Sequence, residues 1–354
     1  MKSRTNHRPS LARQRGAVAV MTALCMTVLI GTTALAVDLG RAWVVRNELQ
    51  NAADAAALAG AGSLGPNYAS PNWTQAEAKA QSAITLNKTE GTALLTAQVQ
   101  SGYWNVTGTP AGMQALPVPS PGTYDKPAVK VTVSRAAGQN GGPLSLVLAP
   151  IIGVSTMPIS ATAVAVISAP GYSAQGTLFP TVISQCLYSA YWNATTGQPV
   201  NDPATGKPQE FKIGSTYQYT GCAAGMGSGQ WTSFQLNTQD VPSIRNLIAN
   251  GNPTPLGIGD STWIQSGEKN TLYNSVPAPA DVLLPVVATL GSGSKTGSAG
   301  PIVAFAPFHI EGASNGSNPY IYGHFIAGYK APGATGGSGA ATYYGAVTAP
   351  SLAN

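Results

Sequence analysis

The amino-acid sequence predicts an α+β protein, in which a single membrane-spanning helix continues into an exported helix and is followed by a mostly β exported region. The first observation is an uncharged apolar run at residues 17–37, which as a helix rising about 1.5 Å per residue spans the hydrocarbon core of a bilayer. The second is an alanine-rich segment, residues 49–61, that follows without an intervening proline. The third is the alternation of apolar and polar residues in later segments, which is typical of strands.

The charges around the apolar run predict its orientation. The tail before the run, residues 1–16, holds five Lys and Arg and no acidic residue. The residues that follow the run include both basic and acidic side chains. Because positive charge near a span stays in the cytoplasm, everything after Val37 is expected to be exported. Two later apolar segments, residues 144–152 and 280–290, are interrupted by proline, so no second span is expected.

The charge and composition of the chain beyond the basic tail exclude some classes of function. Beyond the basic tail the chain has 13 basic and 13 acidic residues, so the exported part is neutral although the whole chain carries a net charge of +5. No basic run with interleaved aromatic residues occurs, and no nucleic-acid partner is expected. Charged residues make up only 9% of the chain, with 41 Gly and 27 Pro, which is common in exported β-rich proteins.

The exported helix, residues 38–64, carries the candidate interaction residues. Small residues recur in it every four positions, at Ala52, Ala56 and Gly60 with Ala53, Ala57 and Ala61 beside them, and such a small-residue stripe lets two helix backbones approach closely. This stripe packs either against a neighbouring helix or against the protein's own exported part, and the sequence leaves both open. Asp38 and Arg41, and likewise Gln50 and Asp54, are spaced so that each pair can meet on one helix face. The candidate helix-interaction residues are Asp38, Arg41, Gln50, Asn51, Ala52, Asp54, Ala56 and Gly60.

A small α+β unit is expected over residues 65–168. Its helix is predicted over residues 74–88, with Thr74 and Glu77 as a capping box and Gly91 after its end. The alternating segments that predict its strands are residues 94–100, 103–106, 128–135 and 159–167.

A mostly β second unit is expected over residues 169–354, after a break in the pattern at a Pro-Gly pair. One short helix is predicted in it, opened by Asp240 and Pro242 and ended by Gly251. Its short apolar segments, separated by Gly, Pro and Asn, are residues 177–187, 215–220, 261–265, 282–290, 302–310, 320–329 and 342–347.

Two of the three cysteines are expected to be bonded. Cys25 lies in the apolar run, whereas Cys186 and Cys222 both lie on the exported side. In an oxidising compartment such a pair is expected to form a disulfide. The alternative is two unrelated buried thiols.

Glycine-rich segments that resemble catalytic motifs lack a required residue. The loop at residues 291–300 contains Lys295, but Ser294 replaces the glycine that a phosphate loop needs before its lysine. Ser228 has Met226 in place of the first glycine of a nucleophile elbow. We therefore expect neither a nucleotide cofactor nor a hydrolase serine.

Metal binding is also not expected. His309, Glu311 and His324 are the clustered metal-capable side chains, and strand alternation puts His309 and Glu311 on one face. Their spacing is not a recognised ligand pattern, so surface or structural roles are favoured. The chain is predicted to be non-enzymatic, with no cofactor and no metal.

The N-terminal segment resembles the first module of the TadE/TadG-like proteins of the Tad (tight adherence, Flp) pilus assembly system. The resemblance is carried by Arg15-Gly16, by VDLGR at residues 37–41 and by LQNAADAAALAGA at residues 49–61. It implies a minor pilin-like or assembly component in the bacterial inner membrane, with its bulk in the periplasm. The partners it implies are other Tad assembly proteins or pilin-like subunits, and self-association through the N-terminal helix.

Processing of the N-terminus separates this interpretation from its alternative. Prepilin-type substrates are cut after a glycine and carry a glutamate five residues later; here the glycine is Gly16 and the fifth residue is Met21, which favours a retained anchor. The alternative is a secreted carbohydrate-binding or hydrolytic protein whose first 36 residues are a signal peptide, because Ala34-Leu35-Ala36 fits a signal-peptidase site. Against it, the apolar run is longer than the roughly 7–15 residues of a signal peptide.

Overall fold

The structure is a computed structural model that describes residues 11–65, 70–118, 121–219, 222, 227–236, 238–265, 269–290, 298–337 and 341–353. Residues 1–10 of the expected basic tail and residues 291–297 of the Gly-rich loop lie outside the described residues.

The helices and strands follow in chain order. The helices are α1 (Leu11–Ala61), α2 (Trp73–Ile84), α3 (Gln185–Tyr191), α4 (Val241–Asn250) and α5 (Asn270–Tyr273), with a 3-10 helix at Ala149–Ile152. The strands of the first half are β1 (Lys88–Thr89), β2 (Thr92–Ala93), β3 (Gln98–Asn105), β4 (Met113–Gln114), β5 (Asp125–Arg135), β6 (Leu144–Ser145), β7 (Thr156–Met157), β8 (Ile159–Val166) and β9 (Tyr172–Ser173). Those of the second half are β10 (Thr181–Ser184), β11 (Trp192–Asn193), β12 (Gln198–Pro199), β13 (Phe211–Ile213), β14 (Gly229–Trp231), β15 (Leu256–Gly257), β16 (Ser261–Trp263), β17 (Ala280–Val287), β18 (Ser298–Ser314), β19 (Tyr320–Phe325), β20 (Tyr329–Lys330), β21 (Ala346–Val347) and β22 (Ser351–Leu352).

The chain forms two compact units. The first, called here the junction unit, contains the residues up to Ala53 together with Ile84–Ala97 and Thr132–Thr162. The second, called the sheet unit, contains Asp54–Ala83, Gln98–Val131 and the residues from Ala163 onward.

Helix α1 runs unbroken over 51 residues, as the lack of an internal proline predicts. Within the described residues it contains the one helix long and apolar enough to cross a membrane, Gly16–Ala61, and its most apolar stretch is not buried by the protein. Met21, Leu29 and Ile30 are all more than half exposed. A helix that is apolar all round and not covered by its own protein is typical of a membrane span.

Beyond Val37 the helix acquires a buried face. Ala42, Val45 and Leu49 are buried, and the alanines at positions 52, 53, 56 and 57 are fully so. The polar, alanine-rich part of α1 therefore packs on the protein itself. This confirms the predicted continuation of the apolar run into an alanine-rich helix without a break.

Helix α2 differs from its prediction at both ends. It spans Trp73–Ile84, and the Asn72 side chain caps it by accepting a 3.1 Å hydrogen bond from the backbone N–H of Gln75. The predicted capping box is wrong because the carboxylate of Glu77 accepts instead from the backbone N–H and hydroxyl of Ser101, at 3.2 and 2.6 Å. Asn72, two residues before the predicted cap Thr74, supplies the acceptor that the first N–H groups of α2 need.

Gly91 does not end α2. It lies in the turn between β1 and β2, two short antiparallel strands that start at Lys88. Its φ of +76° lies in the left-handed region that favours glycine.

The sheet unit is built around a seven-stranded sheet. The strand order is β13-β19-β18-β17-β10-β14, with β16 paired to β18. The β10–β17 pair is parallel and the other pairs are antiparallel. Its core combines aliphatic and aromatic side chains, among them Phe234, Phe305, Phe308 and Phe325, each no more than 1% exposed. A separate five-stranded sheet has the order β22-β8-β5-β3-β4.

Two predicted apolar segments of the sheet unit are not simple strands. Residues 177–187 contain β10 and then turn into α3, which Ser184 caps by accepting from the Leu187 N–H at 3.1 Å. In place of residues 215–220 the strand lies earlier, at β13, because Phe211 and Ile213 are the residues whose side chains enter the core. The short helix α4 matches its prediction, with Asp240 as its cap and Gly251 after its end.

Candidate functional site

Asp38, the first polar residue after the apolar run, binds a segment far along the chain. Its carboxylate accepts backbone N–H groups from Val147 at 2.8 Å, Leu148 at 3.1 Å and Ala149 at 2.8 Å. These N–H groups lie at the start of the 3-10 helix, where no intrahelical acceptor exists. A buried carboxylate satisfies them and is favoured by the positive end of the helix. Asp38 therefore caps a helix to which it does not belong.

Arg41 joins an ionic cluster centred on Glu90. Arg41 Nη2 lies 2.8 Å from Glu90 Oε1, and Arg135 Nη1 lies 2.9 Å from Glu90 Oε2. Partial burial raises the pKa of Glu90, but the hydrogen bonds from the two guanidinium groups outweigh it and hold that pKa below its usual value. Arg41 also donates to the Ser145 carbonyl at 3.0 Å. The hydrogen-bond partners of Asp38 and Arg41 are thus distant residues and not each other.

Two further α1 side chains in the junction unit bond residues that are distant in the sequence. Glu48 Oε2 accepts from the Thr89 hydroxyl and the Glu90 N–H, both at 2.9 Å. Gln50 Nε2 donates to the Thr162 carbonyl at 3.2 Å. The sequence did not single out Glu48 or Glu90, because Glu90 lies in a short turn whose partners come from other elements. The low charge content of the chain could have pointed to these residues. A charged side chain that becomes buried needs a partner, and this chain has few charged residues to choose from.

The small-residue stripe is occupied within the protein. Ala52 and Ala56 are fully buried, and a Cβ added to Gly60 would meet Ala76 O, Ala80 Cβ and Val129 Cγ1 at 3.0 Å each. Gly60 therefore lets α2 and β5 approach α1 more closely than any other residue would. In the structure these small residues therefore pack against other residues of the same chain.

The opposite face of α1 is exposed. Leu39, Trp43, Asn47 and Asn51 follow one another at four-residue spacing and are all exposed, Trp43 to 68%. This set is called here the open face. A groove of about 770 Å³ lies beside it, with Met157 and other residues of the 157–160 segment on its far wall. A large exposed tryptophan beside a groove is typical of a protein interface.

The predicted disulfide is confirmed. Cys186 and Cys222 are bonded, with their Cα atoms 5.6 Å apart. Cys25 is a free, exposed cysteine of α1. Gly16 also lies in α1, with nothing within 4 Å of an added Cβ, and Asp54 is half-buried.

Ser228 has a structural role. Its hydroxyl donates to the Gly214 carbonyl at 3.0 Å and accepts from the Gly214 N–H at 2.9 Å. Because both capacities of the hydroxyl are used by backbone groups of one residue, Ser228 ties two segments together.

His309 and His324 form a row with Asp281 across three adjacent strands. Asp281 on β17, His309 on β18 and His324 on β19 are direct register partners, and His309 Nδ1 lies 2.5 Å from Asp281 Oδ1. Glu311 Oε1 is 3.7 Å from His309 Nε2 and 3.9 Å from His324 Nδ1, which is longer than a hydrogen bond. Burial, and then the charge of His309, lower the pKa of His324. In the part of the chain that the structure describes, no three His, Cys, Asp or Glu side chains are arranged to hold a metal ion.

Lys126 was not foreseen from the sequence. It is 2% exposed, and its ammonium donates to the Thr123 carbonyl at 2.8 Å. Burial lowers its pKa to about 8, although the charge of Asp125 opposes the shift. It lies in β5 (Asp125–Arg135), which begins three residues before the alternating segment that predicts this strand.

Two family comparisons bear on this site. Residues 16–63 match the Flp pilus-assembly TadE/G-like family, and residues 59–165 match a Tad-like Flp pilus-assembly family. The chain has no match among the curated proteins or the solved structures with which it was compared. The part of the chain that carries the membrane helix, Asp38 and the Glu90 cluster is therefore similar to the TadE/G-like and Tad-like proteins of Flp pilus assembly, the family that the sequence resembles.

Proposed function

We propose that this chain is a non-enzymatic assembly component of a Tad (Flp) pilus system, TadG-like, that is anchored in the inner membrane and acts as a scaffold or minor pilin-like subunit outside it. The observation that carries the proposal is α1, in which an exposed apolar half continues without a break into a half held by its own fold. The family matches over residues 16–165 support it.

The contacts of α1 in the junction unit favour a scaffold. Asp38, Arg41, Glu48 and Gln50 each bond a residue at least 41 positions away, so the helix leaves the bilayer in one fixed direction. A helix held in this way presents its remaining surface to a partner without the entropy loss of ordering it on binding. The basic N-terminal tail supports a cytoplasmic N-terminus and a periplasmic bulk.

The open face is the proposed partner surface. The small-residue stripe is used internally, whereas Trp43, Asn47 and Asn51 are exposed and Leu39 extends the same face toward the bilayer. Large aromatic side chains dominate binding energy at interfaces, and asparagine side chains supply hydrogen bonds around them. We infer that other Tad assembly proteins, pilin-like subunits or a second copy of the chain bind here through a helix.

The test is complementation of a deletion strain of the source organism. Trp43→Ala is expected to abolish or strongly reduce surface pili while the variant accumulates to normal levels in the membrane fraction. Leu86→Ala is the matched control, because Leu86 is an apolar residue of the same unit that is 85% exposed, and it is expected to restore piliation fully. Full piliation with Trp43→Ala would overturn the proposed surface.

The alternative of a secreted protein is distinguished by the mature N-terminus. N-terminal sequencing of the protein from the membrane fraction separates an intact N-terminus from a cut after Gly16 or after Ala36. We expect the apolar helix to be retained. A protein that begins at Val37 and is found in the soluble fraction would favour the secreted interpretation.

A further inference from the structure

The loop at residues 146–154 exposes an unusual amount of apolar surface. Its sequence is LVLAPIIGV, and Val147, Ile151 and Val154 are 57%, 78% and 47% exposed. No charged residue occurs between residues 136 and 160. An exposed apolar patch of this kind in a folded protein marks a surface that contacts a membrane or another protein.

The loop lies beside the apolar half of α1. A groove of about 320 Å³ has Leu148, Ala149 and Ile151 on one side, and on the other the span residues Thr27, Ile30, Gly31, Ala34 and Leu35. Thr27 precedes Asp38 by 11 residues, which is about 16 Å along the helix axis. A bilayer that surrounds the span at this depth also reaches the loop.

Most backbone N–H groups of the loop already have hydrogen-bond acceptors within the protein, as an apolar environment requires. Asp38 accepts the N–H groups of Val147, Leu148 and Ala149. Gly153 donates to Pro150 O at 3.0 Å, and the remaining internal bonds include Val154 to Ala149 O and Leu146 to Ser155 O. Unsatisfied backbone groups are what excludes irregular segments from lipid, and here these donors have acceptors.

We propose that residues 146–154 insert into the interfacial region of the outer leaflet, with the Ile151 side chain among the acyl chains beside the span. This inference rests on the proposed membrane anchor. Lipid is the occupant that the groove favours, because one of its walls is the span itself and its lining is apolar except for Thr27 and Asp38. Asp38 then holds the loop at the depth at which the helix leaves the bilayer.

Site-directed spin labelling of the full chain in phosphatidylethanolamine and phosphatidylglycerol vesicles tests this. The background is Cys25→Ser with the Cys186–Cys222 disulfide kept oxidised. Nitroxides are placed at Ile151→Cys, at Leu29→Cys in the span and at Val44→Cys, which lies about 9 Å beyond Asp38 along the helix. All three native side chains are more than half exposed, so labelling does not disturb the core.

The measurement compares collision of each label with oxygen, which concentrates in lipid, and with a water-soluble nickel complex. At Ile151 and Leu29 we expect several-fold less nickel collision, relative to oxygen, than at Val44. If Leu29 shows lipid contact but Ile151 behaves like Val44, the inserted loop is wrong and the anchor stands. If Leu29 is itself accessible to nickel, the anchor fails, and with it this inference. If Ile151 is shielded from both reagents, protein covers the loop and the lipid contact is overturned.

Discussion

Asp38 Oδ2 accepts a 2.8 Å hydrogen bond from the backbone N–H of Ala149, which lies 111 positions further along the chain. One end of this bond is the first polar side chain after the apolar run, and the other is the start of a 3-10 helix. The bond therefore connects the end of the apolar part of α1 to a segment that is distant in the sequence. A carboxylate suits this place because it accepts several N–H groups at once.

Replacing Asp38 is predicted to release the 147–149 segment. Asp38→Ala removes the acceptor of three N–H groups, each of which costs about 1–3 kcal/mol when left unsatisfied, less what water replaces. Asp38→Asn keeps an oxygen acceptor and is expected to have a smaller effect. The measurement is hydrogen exchange of the Val147 and Ala149 amides in detergent micelles. Unchanged protection of both amides in the alanine variant would contradict the prediction.

The Glu90 cluster is predicted to contribute stability that depends on pH. The pKa of Glu90 is lowered in the fold, so the contribution is present above its ordinary pKa of 4.5 and is lost as the pH falls through the lower folded value. Arg41 and Glu90 are each about a third exposed, so their coupling is expected to be about 1 kcal/mol or less. Arg135, at 9% exposure, is expected to couple more strongly.

Double-mutant cycles measure these couplings. Glu90→Gln is combined with Arg41→Met and separately with Arg135→Met, and urea unfolding is followed at pH 7 and pH 3.5. Equal coupling at the two pH values would show that the carboxylate charge has no part in the cluster.

Lys126 is predicted to destabilise the fold at neutral pH. The folded side chain releases its proton near pH 8, whereas the unfolded one keeps it to about 10.5, so the free energy of unfolding rises with pH across that window, by at most about 3 kcal/mol. Lys126→Met removes the charge and keeps the apolar stem. The variant is expected to be more stable at pH 7 and to lack the rise.

The difference between Lys126→Met and the unchanged chain is the quantity to measure. Tyrosine ionisation affects both proteins above pH 10 and cancels in the difference. A stability difference that stays constant from pH 7 to pH 10.5 would mean that Lys126 titrates normally in the fold.

Removal of the Cys186–Cys222 bond is predicted to cost about 3–4 kcal/mol, because the bond closes a loop with a sequence separation of 36. The double variant Cys186→Ala, Cys222→Ala is compared with Cys25→Ser, whose native side chain is free and exposed. The denaturant concentration at the unfolding midpoint is expected to fall in the double variant and to stay unchanged in Cys25→Ser. An equal midpoint in the two proteins would contradict the prediction.

His324 is predicted to make stability fall on mild acidification. Its pKa is lowered from 6.5 in the fold by burial and by the charge of His309, so the unfolded state binds the proton first as the pH drops below 6.5. The free energy of unfolding then decreases toward the lower folded pKa. His324→Gln should remove this part of the pH dependence between pH 7 and pH 5, and an unchanged profile would contradict it.

The elements that the sequence predicted well are those whose signal is local. The helix α1 follows from a long run without proline, α4 from Asp240 and Gly251, and β5 and β8 from alternation of apolar residues. The mistakes arose where local signals competed. Thr74 offers a plausible cap for α2, but Asn72 lies two residues earlier and takes that role.

The sequence by itself determined that one apolar helix continues into an alanine-rich helix, that a mostly β region follows, and that the N-terminal module resembles Flp pilus-assembly proteins. These conclusions follow from the composition, from the spacing of apolar residues and from the contiguous N-terminal motif, all of which are local properties of the sequence. Only the tertiary structure decided the partners: Asp38 with residues 147–149, Arg41 with Glu90, and the stripe at Gly60 with Ala76, Ala80 and Val129. Pairings between residues tens of positions apart depend on how the chain packs, and no local pattern specifies them.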